Sequence, residues 1–185
     1  MPGTRDQEKI LDFLKEAGRL KKLPRTGWTQ SGVEDPESVA DHTFRTTLIS
    51  LIISDLQGLN SDKAVRMALL HDLAEIEVGD LTPNQKEGME GDHILAEDRA
   101  MEDLLSILPD DIVEIYTETW KEYRRGDSPE ARLVAGADRL EMLIQAQEYT
   151  EEGVDPPCLA HFWETEIKGG VVSDLAEALR KKRGI

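Results

Sequence analysis

The amino-acid sequence predicts an all-α fold, and three observations carry that reading. Apolar residues recur at three- and four-residue spacing through most of the chain. Strand-like alternation is hard to find anywhere in it. Capping serines, a first-turn proline and closing glycines bracket the periodic stretches at the places where helices start and stop.

Taken in order, residues 4–23 (TRDQEKILDFLKEAGRLKKL) open with a Thr4–Gln7 capping pattern and repeat Ile10, Phe13, Leu14 and Ala17 on one helical face. Residues 24–37 (PRTGWTQSGVEDPE) hold two prolines and two glycines and read as a 14-residue loop long enough to be functional, with Trp28 inside it. The next helix runs from a Ser38 cap to a Gly58 stop, and its second half is apolar on nearly every side, as a central helix would be. Residues 61–80 (SDKAVRMALLHDLAEIEVGD) read as a helix capped by Ser61 and packed on its predecessor. After a DLTPNQKEG loop, helices near 91–107 and 110–125 are charged on one side and look peripheral. Ser128, Pro129 and Gly153 bound a second core helix. Residues 156–185 give two short helices split by KGG, and their basic end suits a helix C-terminus.

Composition removes several function classes. A chain of 185 residues fits one domain that buries roughly 70% of its unfolded surface without a disulfide. Thirty-eight acidic against 22 basic residues give a net charge of −16, which repels a phosphate backbone and excludes a nucleic acid polymer as partner. No apolar run approaches the ~20 residues of a membrane span, so a membrane partner is not expected. One cysteine, Cys158, and a polar N-terminal stretch point to a cytoplasmic protein.

Only four histidines occur, and two of them, His42 (VADHTF) and His71 (LLHDLA), lie beside an aspartate in apolar helices. A lone histidine on such a face is usually a satisfied core residue, but two such pairs weaken that reading. A further carboxylate, Asp138 (VAGADRLEML), stands in an apolar surround, where Ala135, Gly136 and Ala137 would let another helix come close. Together His42, His71, Asp72 and Asp138 make a nitrogen and oxygen donor set for one divalent ion of the Co, Mn, Ni, Zn, Fe or Mg kind, with no thiolate to mark a structural zinc. Glu75, four residues after His71, shares its helical face and could act on a water at the metal.

The order of a histidine, a His-Asp pair and a later aspartate on separate helices resembles the HD-domain metal phosphohydrolases. PRTGW, PESVADHTFR, ALLHDLAEIEVGDLTP and ADRLEMLIQAQEY are similar to its 5′-deoxynucleotidase branch, over roughly residues 8–150. That resemblance implies one HD domain over residues 1–185, a helical bundle with the metal site between core helices. Its core motifs fall at about 25–150 and its C-terminal helices at about 156–185. It implies metal ligation by His42, His71, Asp72 and Asp138, catalytic roles for Glu75 and Asp80, and substrate contacts from Arg25, Trp28, Asp80, Leu81 and Thr82. The implied reaction is hydrolysis of a nucleoside 5′-monophosphate by a metal-activated water, in nucleotide metabolism. Which of Glu75 and Asp80 is base and which is acid stays open. Two other readings stay open beside it: a nucleotide phosphodiesterase or pyrophosphohydrolase, and a non-catalytic, metal-stabilised nucleotide-binding module. The resemblance also implies a homodimer, for which Phe162, Trp163 and Val171 are the expected interface groups.

Overall fold

The computed structural model describes residues 3–89 and 91–184. Its helices are α1 (Thr4–Ala17), α2 (Thr26–Gln30), α3 (Val39–Gln57), α4 (Ser61–Leu70), α5 (Glu75–Val78), α6 (Pro83–Gly88), α7 (Asp92–Leu105), α8 (Asp110–Arg125), α9 (Pro129–Glu151), α10 (Ala160–Trp163) and α11 (Gly170–Arg183). Short 3₁₀ turns at Gly18–Lys22 and Pro156–Leu159 complete the order. Among the described residues the β structure amounts to one antiparallel bridge, Pro24 to Ser38.

Helices α3, α4 and α9 pack on one another, and α11 covers α9. The caps of α3 and α9 stand where the sequence puts them. The Ser38 hydroxyl accepts the Asp41 N–H at 3.2 Å while the Asp41 carboxylate accepts the Ser38 N–H at 3.0 Å. Gly58 closes α3 at φ +66°, a conformation that costs most residues a steric penalty. At the start of α9 the Ser128 hydroxyl accepts the Ala131 N–H at 3.2 Å, with Pro129 in the first turn. The small stretch before Asp138 is where a helix comes close: a side chain at Gly136 would touch Val172 of α11 at 3.4 Å.

Several expectations are corrected. The helix expected over 61–80 stops at Leu70, and His71 to Ala74 form a turn before α5 begins. Asn60, not Ser61, caps α4, its side chain accepting the Lys63 N–H at 3.1 Å. Gly3 stands at the cap of α1 in place of Thr4, its N–H donated to Asp6. The 24–37 segment is partly helical and tied down, with Arg25 N–H bound to Glu37 O and Val39 N–H to Leu23 O. Helix α7 is not peripheral, since Ala100, Met101, Leu104 and Leu105 form a second apolar core with Leu20, Leu73, Ile76 and Trp120. Phe162 and Trp163 are buried in the chain's own first core, where Val171 packs against it, so they are not free to form an interface. Among the exposed apolar side chains, Phe44, Leu48, Ile52 and Leu56 form a row along α3.

Candidate metal centre and substrate cleft

The turn after α4 and the facing sides of α3 and α9 bring the histidines together. His71 Nδ1 lies 2.7 Å from the Ala68 carbonyl, which can only accept, so the proton sits on Nδ1 and the Nε2 lone pair is free. His42 Nδ1 donates to the fully buried Glu141 carboxylate at 2.6 Å, which frees its Nε2 in the same way. The two free Nε2 atoms are 3.3 Å apart. Asp138 Oδ1 is 3.1 Å from His42 Nε2, and Asp72 Oδ2 is 3.1 Å from His71 Nε2 and 3.6 Å from His42 Nε2.

Two imidazole lone pairs aimed at one point repel each other unless a cation stands between them. His42, His71 and Asp72 offer donor atoms close enough to share one divalent ion, with Asp138 beside them and Glu141 orienting the His42 ring from behind. The electrostatics agree. Burial and Arg25 lower the His42 pKa, yet hydrogen bonds to Asp138 and Glu141 outweigh them and push it up to about 10, so that without a cation a proton takes the place at Nε2 that a metal ion would fill. Burial works to raise Asp72, but His71, Arg25 and His42 hold it far below the usual carboxylate range. Asp138 is lowered against its burial chiefly by the His42 hydrogen bond. Each of these shifts marks a place that favours added positive charge.

Beside this group opens a cleft of about 260 Å³, lined by Arg25, Asp72, Glu75, Asp80, Leu81 and Thr82 among others. It runs on into an outer hollow of about 430 Å³ with which it shares Gly27, Thr82, Pro83, Met142, Phe162 and Thr165. Glu75 reaches it from the first turn of α5, buried, with Oε2 lacking any hydrogen-bond partner. Burial first, then Asp72 and Asp80, push its pKa up to about 11, so without a cation it carries its proton. Asp80 follows the Gly79 turn, where φ is +79°, and both its oxygens are engaged: Oδ1 accepts from Arg25 at 2.8 Å and Oδ2 from the Thr26 N–H. Arg25 also reaches Asp72 at 3.5 Å, and these carboxylates outweigh its burial and keep it charged.

Trp28 lies in α2 and not in a loop. It is 2% exposed beneath the cleft, its ring 3.9 Å from Phe162 and 5.3 Å from Tyr149, its N–H donated to Glu37 at 2.9 Å. Glu37 is raised to about 7 by burial and by Glu141. Arg25, Trp28, Asp72, Glu75, Asp80, Leu81, Thr82 and Asp138 thus line one cleft together with Lys86 and Arg139, while His42 and His71 stand behind Asp72 and Asp138 and Glu141 behind His42. Glu141 had a signal, a carboxylate three residues after Asp138 on the same helical face in an otherwise apolar run. Lys86 and Arg139 had none.

Comparison with known proteins follows the same line. The HD domain family matches residues 17–179. Human 5′-deoxynucleotidase HDDC2 is 40% identical over 156 residues, 84% of this chain and 76% of the human protein. The fission yeast 5′-deoxynucleotidase hdd1 is 34% identical over 76% of this chain and 72% of its own length. A crystal structure from Pyrococcus horikoshii is 33% identical with a TM-score of 0.75, covering 94% of this chain and 98% of that one. A cyanophage HD phosphohydrolase, bound to dA and one catalytic zinc ion, shares the fold at 21% identity and a TM-score of 0.50, over 91% and 80% of the two chains.

Proposed function

Because the chain belongs to the HD domain family, we propose that it is a metal-dependent 5′-deoxynucleotidase, releasing phosphate from deoxynucleoside 5′-monophosphates. The observation that carries this is the pair of free imidazole Nε2 atoms 3.3 Å apart, flanked by Asp72 and Asp138, at the side of a cleft that also holds a buried arginine. The cofactor is one divalent ion, for which His42, His71, Asp72 and Asp138 are the proposed ligands. When bound it supplies Lewis acidity toward water and phosphate.

The chain's own side chains do the rest. Arg25, fixed through Asp80, presents its planar guanidinium to two phosphate oxygens of the substrate. Glu75 orients the attacking water and takes its proton, since its free Oε2 has no competing partner. Asp80 acts first as a positioning residue, because Arg25 and Thr26 occupy both its oxygens. Leu81 and Thr82 border the sugar, and Trp28 sets the depth of the cleft from below. Rejection of a 2′-hydroxyl by such a shape amounts to ~1–3 kcal/mol, roughly 10 to 200-fold. Protein stripped and reloaded with each candidate metal, then offered the common ribo- and deoxyribonucleoside 5′-monophosphates, tests the reading. Release of phosphate from none of them would overturn it.

The whole chain serves as one HD domain, its two apolar cores joined through Tyr123, which packs against both. Two copies associate through α3. Phe44, Leu48, Ile52 and Leu56 form a four-residue-step ridge that packs against its own copy around a two-fold axis. Residues 46–54 carry no charge, whereas elsewhere the −16 net charge keeps copies apart. Among the described residues no helix is long and apolar enough to cross a membrane, and the free Cys158 suits the cytoplasm.

A further inference from the structure

A second cavity adjoins the metal-ligand group toward His71, which lines it and not the cleft. It measures about 120 Å³, less than half the volume of the cleft, and shares with it Asp72, Glu75, Lys86 and Asp138, which form the partition. His71, Ala74, Glu97, Trp120, Tyr123 and Arg124 line this rear chamber and not the cleft. Its charged wall is built: Glu97, 6% exposed, accepts from Lys86 at 3.0 Å and from Arg124 at 2.9 Å. Arg124 is further held by Asp98 at 3.4 Å and lies over the Trp120 ring. Lys86 and Arg124 keep 35% and 27% of their side-chain surface exposed.

In an in-line displacement at phosphorus the water arrives opposite the leaving oxygen. The wide cleft with its apolar outer hollow is the side that accommodates a nucleoside. The rear chamber is then the opposite side, and Glu75, on the partition, stands between the two.

We propose that this rear chamber admits the attacking water and receives the released inorganic phosphate, so that the two products leave on opposite sides of the site. The inference rests on the 5′-nucleotidase reading. The water oxygen bonds to phosphorus as the bond from phosphorus to the 5′-oxygen breaks. Glu75 takes one proton from the water, and one proton ends on the 5′-oxygen, so nucleoside and inorganic phosphate balance the equation. Phosphorus moves toward the incoming oxygen as the old bond breaks, so the new P–O group lies at the rear, where Lys86 and Arg124 offer it the donors that Glu97 otherwise accepts from.

Arg124 lines the rear chamber and not the cleft, and Arg139 the cleft and not the chamber, which makes the idea separable. Inorganic phosphate binding to the metal-loaded protein is measured by titration calorimetry, and its product inhibition is measured against dAMP hydrolysis. Arg124→Gln should weaken phosphate in both measurements at least about fivefold with KM for dAMP within about twofold, and Arg139→Gln should do the reverse. Phosphate affinity unchanged in Arg124→Gln, or both ligands weakened alike in both variants, overturns the proposal. Where Arg124→Gln does not fold, Arg124→Lys keeps the charge toward Glu97 and should still weaken phosphate at least about twofold; no change overturns it. Wild-type protein that binds phosphate but hydrolyses no nucleotide would remove the enzymatic reading by itself, and the binding arm would still be read.

Discussion

Helix α3 carries a buried polar row and an exposed apolar row, whereas α8 buries Trp120 and leaves its charged residues Glu114, Glu118 and Lys121 exposed. Inward, α3 presents His42, Thr46, Ser50 and Ser54 at four-residue steps; outward it presents Phe44, Leu48, Ile52 and Leu56 at the same step, with Phe44 70% and Leu56 72% exposed. The inner row of α3 is small below its histidine, and Ser50 and Ser54 bond their own helix carbonyls at 2.8 and 2.9 Å, so α4 and α9 can approach without leaving polar atoms unpaired. The inverted helix teaches that α3 is shaped by two demands outside ordinary folding. The inner demand is the proposed metal-ligating histidine, and the outer one is the proposed second copy.

The largest expected effect breaks the inner row. His42→Ala or Asp138→Ala should remove stoichiometric metal and lower turnover by on the order of a thousandfold or more, with the helical signal kept. Elemental analysis showing full metal content in both would remove them from the ligand set. Glu75→Gln sharpens the contrast between holding the ion and doing the chemistry. It should keep its metal and still lose roughly 10²–10⁴ in rate. Near-normal turnover would take Glu75 out of the mechanism.

Next in size is the partner of the inner histidine. Glu141→Gln keeps the shape but weakens the charge-assisted hydrogen bond at 2.6 Å that fixes the His42 tautomer. Metal affinity should fall about 10 to 100-fold, while turnover at saturating metal recovers. A metal titration with unchanged affinity would leave Glu141 a packing residue. On the outer row, Leu48→Glu combined with Ile52→Glu should yield a monomer in light scattering with metal content intact. A wild-type monomer at micromolar concentration would dispose of the proposed pairing.

How much of this was readable from the residues differs along the same helix. Ser38 and Gly58 announced α3, and Ser128 and Pro129 announced α9, because caps act within one turn of themselves. The donor set was readable because charged groups in apolar runs stand out. The break after Leu70 was not, since nothing in LLHDLAEIEV forbids a helix; the turn there is held by tertiary contacts of His71 and Asp72. Trp28 was misplaced for a similar reason: a segment rich in proline and glycine looks like surface until Tyr149 and Phe162 arrive from distant helices. Phe162 and Trp163 look like interface groups until α10 folds back onto α9.

The smallest expected effect tests how Trp28 serves the inner side of the comparison. Its N–H is one of the groups that lower the Glu37 pKa against burial and Glu141, which together raise it to about 7. A carboxyl raised in the folded state is favoured there as the neutral form. Its contribution to stability is therefore full below the ordinary carboxylate pKa and is lost as pH rises through about 7. Trp28→Phe keeps a ring against Phe162 but removes the donor. The charged carboxylate that exists above pH ~7 then lacks a hydrogen bond worth roughly 1–3 kcal/mol when left unmade. The neutral form near pH 5 loses little. The melting temperature of Trp28→Phe should thus fall short of wild type by more at pH 8 than at pH 5. An equal deficit at the two pH values would mean that Trp28 acts through packing alone, and that the Glu37 hydrogen bond contributes nothing to the polar side of α3.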